Sequence, residues 1–359
     1  MVTIVYAYRN RELSRIKASL DSLQIQSDPS FKVIFVDYGS EQELAIAIQT
    51  LVESYSFATY YYIHARTLLW NKSKALNYGI KKVKTANVFI ADVDLIFSPN
   101  TIAYFKKIIH PDKVNLFKLG YLDKQNSLQL TKPFQFEALK PKHYGTINGM
   151  ILVSKKALEK VQGYDTFFHF YGAEDVDLYN RLANAGYEII NNKETYFYHN
   201  WHVIYNSYND RKMSVSPHLY NIKRINQQHY FNNINNKLVI PNRQPSFGSV
   251  VTEEEQRFIE NPMLTIELKN IHAQIYHFFN EQIRTYKNIV LCVTVKEEMY
   301  HKSAKHFLKK ILKRQTQPYI SMKIVNDIIL KKILYEYRDT NYAYKIADDL
   351  RTITFTIRL

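Results

Sequence analysis

Over its first half the chain switches between two hydrophobic rhythms. Val2–Tyr8 is an almost unbroken apolar run of strand length, whereas Arg11–Gln24 carries Leu13, Ile16, Leu20 and Leu23 at helical spacing. The same switch recurs at the strand-like Phe31–Val36, the helical Glu41–Tyr55, the strand-like Tyr60–Ile63, the helical Lys72–Lys82 and the strand-like Val88–Ala91. Repeated strand-then-helix units bury both faces of a sheet only when its strands run mostly parallel, so the pattern predicts an α/β, doubly wound architecture. In such sheets ligands lie at the carboxyl ends of the strands. Those ends read Arg9-Asn10-Arg11, Asp37-Tyr38-Gly39-Ser40 and Asp92-Val93-Asp94.

From about Ser98 the alternation loosens, and Pro99, Pro111, Pro133 and Pro141 punctuate a loop-rich stretch. Ile147–Ser154 and Thr195–Tyr198 read as further strands, Lys155–Val161 and Glu174–Ala185 as helices. Asn226–Pro245 is rich in Asn and Gln, holds two prolines and reads as a domain edge, which divides the chain into residues 1–245 and 246–359. The second part reads as a mainly helical α/β extension. It has helical patterns from Thr252 to Ile283, a strand at Asn288–Val295, basic amphipathic segments at Ser303–Lys313 and Val325–Tyr337, and a last strand at Thr352–Ile357.

Composition narrows the classes. With 359 residues and 46% hydrophobic content, global disorder is excluded. The single cysteine, Cys292, cannot form an internal disulfide, which excludes a disulfide scaffold and leads us to expect a reducing, cytoplasmic setting. The opening apolar run is too short for a signal peptide's core and lacks a basic start. No uncharged apolar run approaches the ~18 residues of a membrane span. The net charge is +15, from 48 Lys and Arg against 33 Asp and Glu, and His301–Leu359 alone holds 13 against 5, a net +8. Nucleic acid, an anionic membrane surface and phosphorylated substrates are the partners such charge admits.

Four motifs could carry chemistry. In extended chain Asp92 and Asp94 point to one side, and two hard oxygen donors suit a divalent cation bridging phosphates; a solvated loop or helix cap is the plainer reading. His199 and His202 reach one ion only if the chain turns between them, and otherwise form part of an aromatic-rich surface or core. Mixed imidazole and carboxylate donors favour manganese over magnesium. Glu174, Asp175 and Asp177 open a helix, where the dipole favours acids in any case; a carboxylate there can also serve as a general base. Lys72 and Lys74 open another helix against its dipole, which a bound diphosphate would explain and a cap with solvated lysines would also satisfy.

The order of these pieces, from Arg9-Asn10-Arg11 through Trp70-Asn71-Lys72, Asp92-Val93-Asp94, Asn148-Gly149 and Gly172-Ala173-Glu174-Asp175 to His199-x-x-His202, resembles the GT-A glycosyltransferases. It is most similar to the β-1,4-galactosyltransferases and related family 2 bacterial enzymes of the chondroitin polymerase type. The likeness covers roughly Met1–Asn206 and implies a Rossmann-like GT-A fold. It implies that Arg9, Arg11, Asp37, Trp70, Lys72, Asp92, Gly149 and Tyr171 bind the nucleotide and donor sugar, with Tyr171 as an aromatic platform under the sugars. It further implies that Asp94, His199 and His202 hold the metal, that Asp175 is the catalytic base and that Glu174 contacts acceptor or donor. Lys72 stands where the family has arginine, Tyr171 where the galactosyltransferases have tryptophan, and Ala173 where they have glycine, so donor preference does not transfer.

The resemblance thus implies an inverting, Mn2+-dependent (alternatively Mg2+-dependent) transfer of a hexose or N-acetylhexosamine from a UDP-sugar donor to a saccharide or lipid-linked saccharide acceptor, in bacterial surface polysaccharide synthesis. The competing readings are a non-catalytic carbohydrate-binding descendant of the fold and a nucleic-acid-binding protein. No nucleic-acid motif occurs, and none is expected as partner. The basic tail reads either as a solvated surface or as a peripheral contact with an anionic membrane, with Lys305, Lys309, Lys310, Lys313 and Arg314 set among Phe307, Leu308, Ile311 and Leu312.

Overall fold

A computed structural model describes residues 1–131, 134–146, 149–203, 205–242 and 246–359. Pro133, Ile147, Asn148 and Pro245, which figure in the sequence reading, lie outside the described residues. The chain forms two compact units, one of residues 1–66, 70–205 and 226–250, the other of residues 67–69, 206–225 and 251–359. The second unit is therefore not continuous in sequence, as a single cut after residue 245 would make it.

The first unit begins with the expected alternation: β1 (Val2–Tyr8), α1 (Leu13–Gln24), β2 (Phe31–Asp37), α2 (Gln42–Glu53), β3 (Ala58–Tyr62), α3 (Lys72–Lys82) and β4 (Asn87–Ala91). It continues through β5 (Leu95–Phe97), α4 (Thr101–Ile108), β6 (Lys113–Phe117), β7 (Leu119–Tyr121), α5 (Lys124–Leu128), β8 (His143–Gly145), β9 (Ile151–Ser154), α6 (Lys155–Lys160), α7 (Glu174–Asn184), β10 (Glu188–Asn192), β11 (Phe197–His199) and α8 (Ile222–Asn235). Seven strands form one sheet in the order β10-β6-β9-β4-β1-β2-β3. All pairs are parallel except those of β9, which runs antiparallel to β4 and β6. This is the α/β fold with a mostly parallel sheet that the alternation predicts.

Its core lies where the apolar rhythm places it. Leu20, Leu23 and Ile16 of α1 pack with Tyr6, Tyr8 and Phe35 of the sheet, and Phe89, Phe105, Phe117 and Phe197 cluster beyond them, Phe89 and Phe197 stacked with centroids 5.3 Å apart. Gly79 of α3 sits over the sheet so closely that a Cβ would fall 2.5 Å from Val5 Cγ1. That absence of a side chain lets α3 lie flat on β1 and β2 and fixes where its amino terminus emerges. A second sheet, in the order β5-β11-β7-β8, stands at the carboxyl end of β4.

The second unit has a sheet at its centre. It contains α9 (Glu253–Glu260), β12 (Leu264–Lys269), α10 (His272–Asn280), β13 (Val290–Lys296), α11 (Ala304–Ile311), α12 (Met322–Lys332), β14 (Tyr342–Ile346) and β15 (Thr352–Arg358). The strands pair in the order β12-β13-β15-β14. β12 interrupts the stretch read from sequence as helical between Thr252 and Ile283. Its Leu-Thr-Ile-Glu-Leu-Lys has β-branched residues and period-two alternation, and it pairs in parallel with β13, a partner that a local pattern cannot reveal. No described helix is long and apolar enough to cross a membrane.

Candidate active site

Two clusters form at the carboxyl end of β4. The first is built by the pairing of β5 with β11. Asp94 directly precedes Leu95, which lies opposite His199 in the antiparallel register. The strand ends there, Asn200 N donates to Asp94 O at 2.9 Å, and the resulting turn brings His202 back. The turn that a His-x-x-His pair needs is thus supplied by the end of β11. His199 Nε2 lies 3.5 Å from Asp94 Oδ1, and His202 Nε2 3.3 Å from Asp94 Oδ2. One ligating atom from each of the three residues falls within 4.8 Å of the others. Among the described residues, Asp94 Oδ1 is buried without a hydrogen-bond donor, a costly arrangement unless a cation occupies the space. Two imidazoles and one carboxylate fit a borderline transition metal, and the residues present fit the metal site that the resemblance implies.

The second cluster is organised by Lys72, the first residue of α3. Asn71 caps that helix, its side chain accepting from Lys74 N at 2.9 Å while its amide donates to Thr166 O at 2.8 Å. Phe170 N donates to Trp70 O. The α3 start is thereby tied to the segment that leads into α7, and Lys72 is delivered between two carboxylates. Its Nζ lies 2.6 Å from Asp92 Oδ1 and 3.6 Å from Glu174 Oε1. A Cβ at Gly149 would stand 3.1 Å from Lys72 Nζ and 3.6 Å from Asp92 Oδ2, so the missing side chain keeps this space open.

Asp175 follows Glu174 in the first turn of α7. The approach is sharply bent, with positive φ at Phe170 (62°), Gly172 (95°) and Ala173 (75°). Tyr171, exposed on this bend, stacks on Tyr205 at 4.4 Å. Burial raises the Asp175 carboxyl above its ordinary value; Lys72 opposes the rise, and the Asp92 charge adds to it. Glu174 is raised by the same burial, again against Lys72. For Asp92 burial acts upward too, but the Lys72 charge and hydrogen bond outweigh it and the net shift is downward. Lys72 itself, despite burial, is held more firmly protonated than usual by Asp92 and Glu174.

The remaining predicted residues divide. Arg11 is exposed, and Arg9 reaches the carbonyl of Arg66 at 2.6 Å from the same strand end. Trp70 meets Tyr38 edge-on at 5.8 Å. Asp37, expected as a nucleotide contact, has a structural part as well. It is 0% exposed, and its two oxygens accept from Ser40 N at 2.8 Å and Tyr60 Oη at 2.9 Å. In this arrangement it braces the end of β2.

Three features escaped the sequence reading. Arg15 Nη1 comes within 3.8 Å of Asp94 Oδ2; on α1 it occupies an ordinary polar-face position, so periodicity gave no signal. Tyr121, brought beside β11 by the second sheet, places its ring 5.3 Å from His199 and stacks on His143 at 4.7 Å. A cavity of about 860 Å³ adjoins the metal cluster, with Arg11, Arg15, Lys124, Trp201 and His202 among its walls.

Parts of the sequence have counterparts among known proteins. Residues 3–161 match the sequence profile of glycosyl transferase family 2, and residues 135–203 that of the N-terminal domain of galactosyltransferase. The likeness to glycosyl transferase family 2 is thus confined to the amino-terminal part of the chain. The chain is also similar to the mouse (Mus musculus) N-acetyl-beta-glucosaminyl-glycoprotein 4-beta-N-acetylgalactosaminyltransferase 1, at 25% identity over 215 residues. That match takes in 56% of this chain and 19% of the mouse protein, so the chain spans about a fifth of that relative's length. Two solved structures are similar to it. One is a mannosyltransferase, PcManGT from Pyrobaculum calidifontis, in complex with GDP-Man and Mn2+, with 19% identity, TM-score 0.41, and 55% of this chain on 56% of that one. The other is GalNAc-T7 with UDP, GalNAc and Mn2+, with 12% identity, TM-score 0.42, and 56% of this chain on 43% of that one.

Proposed function

We propose that this chain is a metal-dependent, inverting glycosyltransferase that moves a hexose or N-acetylhexosamine from a UDP-sugar to a hydroxyl of a saccharide acceptor. The observation that carries the reading is the three-ligand Asp94-His199-His202 cluster together with a half-buried carboxylate, Asp175, in the field of the Lys72 cation. Bound by the three ligands, a divalent ion such as Mn2+ would supply positive charge against the phosphate oxygens of the departing nucleoside diphosphate.

The chain's own groups do the rest. Arg9 and Arg11, at the end of β1, and Lys72 face the diphosphate as cations, and the space beside Gly149 admits it. Tyr171, stacked on Tyr205, offers an apolar face to a sugar ring. Asp175 accepts the proton of the acceptor hydroxyl, and its upward-shifted carboxyl makes it a better base than a solvated aspartate. The hydroxyl oxygen forms its bond to the anomeric carbon from the face opposite the leaving group. The bond from that carbon to the phosphate oxygen breaks, and its electron pair leaves with UDP. One displacement inverts the anomeric configuration.

Asp175→Asn tests the assignment. Transfer is expected to fall by about 10²- to 10⁴-fold, the usual worth of a positioned base, while calorimetric binding of UDP in the presence of Mn2+ stays near the parent value. Near-normal turnover in the variant, or a product with the donor's anomeric configuration by NMR, rejects the reading.

A further inference from the structure

The second unit carries a feature that the transfer reaction does not use. α11 begins at Ser303, whose hydroxyl accepts from His306 N at 3.2 Å, and ends where Lys313 adopts φ 52° and Arg314 N returns to Lys309 O at 2.9 Å. His306 is the buried residue of this helix, enclosed by the rings of Tyr300 and Tyr319 at 5.5 and 5.6 Å. Its position fixes which side of the helix faces the protein. Phe307, Leu308, Ile311 and Leu312 form a stripe on the other side, at helical positions i, i+1, i+4 and i+5, and are 67%, 56%, 60% and 55% exposed. A short amphipathic helix ordinarily buries its apolar stripe; this one turns it outward.

The cations are arranged to match. Lys305 and Lys309 border the stripe on one side and Lys310 on the other, and Lys313 and Arg314 follow at the carboxyl end, where the helix dipole favours positive charge. No acidic residue occurs from Ser303 to Gln317. Four apolar side chains pointing outward within a ring of five cations complement a surface that is apolar beneath and anionic at its rim. A second copy of the chain fits poorly, since five cations would face five cations across the patch.

We propose that α11 is an interfacial anchor that docks on an anionic bilayer, with Phe307, Leu308, Ile311 and Leu312 entering the acyl boundary and the lysines meeting lipid phosphates. Helix and stripe are short, so the docking is reversible and depends on both contributions. The full chain is mixed with vesicles of phosphatidylcholine alone or of phosphatidylcholine and phosphatidylglycerol in equal parts, and cosedimentation is measured. Binding is expected to the anionic vesicles only, to weaken as salt shortens the screening length, and to weaken about tenfold or more in Phe307→Glu/Ile311→Glu and in Lys309→Glu/Lys310→Glu. Circular dichroism and Mn2+-dependent sugar-nucleotide hydrolysis report whether each variant remains folded and active, since α11 takes no part in the site. Absence of vesicle binding by the parent, equal binding to neutral vesicles, or parent-like binding by the folded double variants overturns the proposal. So does a concentration-dependent dimer that the Phe307→Glu/Ile311→Glu change abolishes while vesicle binding persists.

Discussion

Lys72 is the residue on which the candidate site's electrostatics turn. It lowers the carboxyls of Asp92, Glu174 and Asp175 alike, so its removal should raise all three. A base must be ionised to work, and Lys72→Gln is therefore expected to move the acid limb of the pH–rate profile upward by about one pH unit and to weaken UDP binding roughly tenfold. An unmoved limb would show that Lys72 does not govern Asp175. Burial also makes Asp175 a liability to the fold: with its carboxyl raised, the ionised form present at neutral pH is destabilised relative to the unfolded chain. Asp175→Asn should raise the melting temperature as it lowers turnover, each tenfold difference in proton affinity between folded and unfolded chain being worth about 1.4 kcal/mol. Lys72 and Asp175 were legible in sequence because each opens a helix, and Asp92 because it ends an apolar strand run, so that side-chain type and location could be read together. Arg15 and Tyr121 were not. Their nearness to Asp94 and His199 comes from α1 and the second sheet approaching one strand end, and no spacing along the chain encodes it.

Among the elements, α8 shows how a polar pattern can be misread. Its Asn and Gln suggested a domain edge, yet Asn226, His229 and Asn233, at i, i+3 and i+7, form one inward face. Asn226 donates to His169 O and Tyr171 O, both at 3.0 Å. His229 Nε2 lies 2.8 Å from Asp165 Oδ2, with its ring stacked on Phe167 at 3.7 Å. Asn233 donates to Asp177 Oδ1 at 2.8 Å, and Asp177 in turn pairs with the wholly buried Arg181. Helical spacing was present, but polar residues carried it, and a buried polar face leaves no apolar stripe to read. The face holds the segment that carries Tyr171, Glu174 and Asp175. Burial alone would raise Asp165, but the hydrogen bond and charge of His229 more than offset that, and its carboxyl lies below the ordinary value. It therefore contributes stability that is present above the unfolded value near pH 4 and lost as pH falls through the folded one. His229→Ala removes the ion-pair partner of a buried carboxylate, which keeps hydrogen bonds from Phe167 N and Asn233 Nδ2, and should destabilise by about 3 kcal/mol in urea titration. Asp165→Asn in the same chain should recover part of the loss; no change in the midpoint would assign the pair no structural role.

At the scale of the whole molecule, the alternating first half was readable because each strand and helix announces itself locally, down to identical bounds for β1 and α3. The second unit was less so, because it gathers distant pieces. Tyr344 N of β14 donates to Thr67 O at 2.9 Å, and Leu69 N donates to Tyr342 Oη at 3.2 Å. His218 O accepts from Lys323 Nζ at 2.6 Å and from Asn326 Nδ2 at 2.9 Å. A fragment of residues 251–359 lacks both pieces and loses these hydrogen bonds. It should melt at lower temperature and less cooperatively than the intact chain, by calorimetry; a sharp transition matching one in the full protein would show that the two short segments are dispensable.

Ala173 bears on how this sequence can drift. A side chain in the left-handed region costs about 1 kcal/mol or more against glycine, which is free of the Cβ conflict. Alanine and glycine codons differ by a single base, so the residue that the resembling galactosyltransferases carry at this position lies one mutational step away, and that step relaxes the backbone. What glycine gives up is restriction: the bend ahead of Asp175 would gain conformations as it lost strain. The methyl group at 173 thus keeps the approach to α7 narrow at the expense of backbone strain, on a path where the next substitution is both genetically near and energetically downhill.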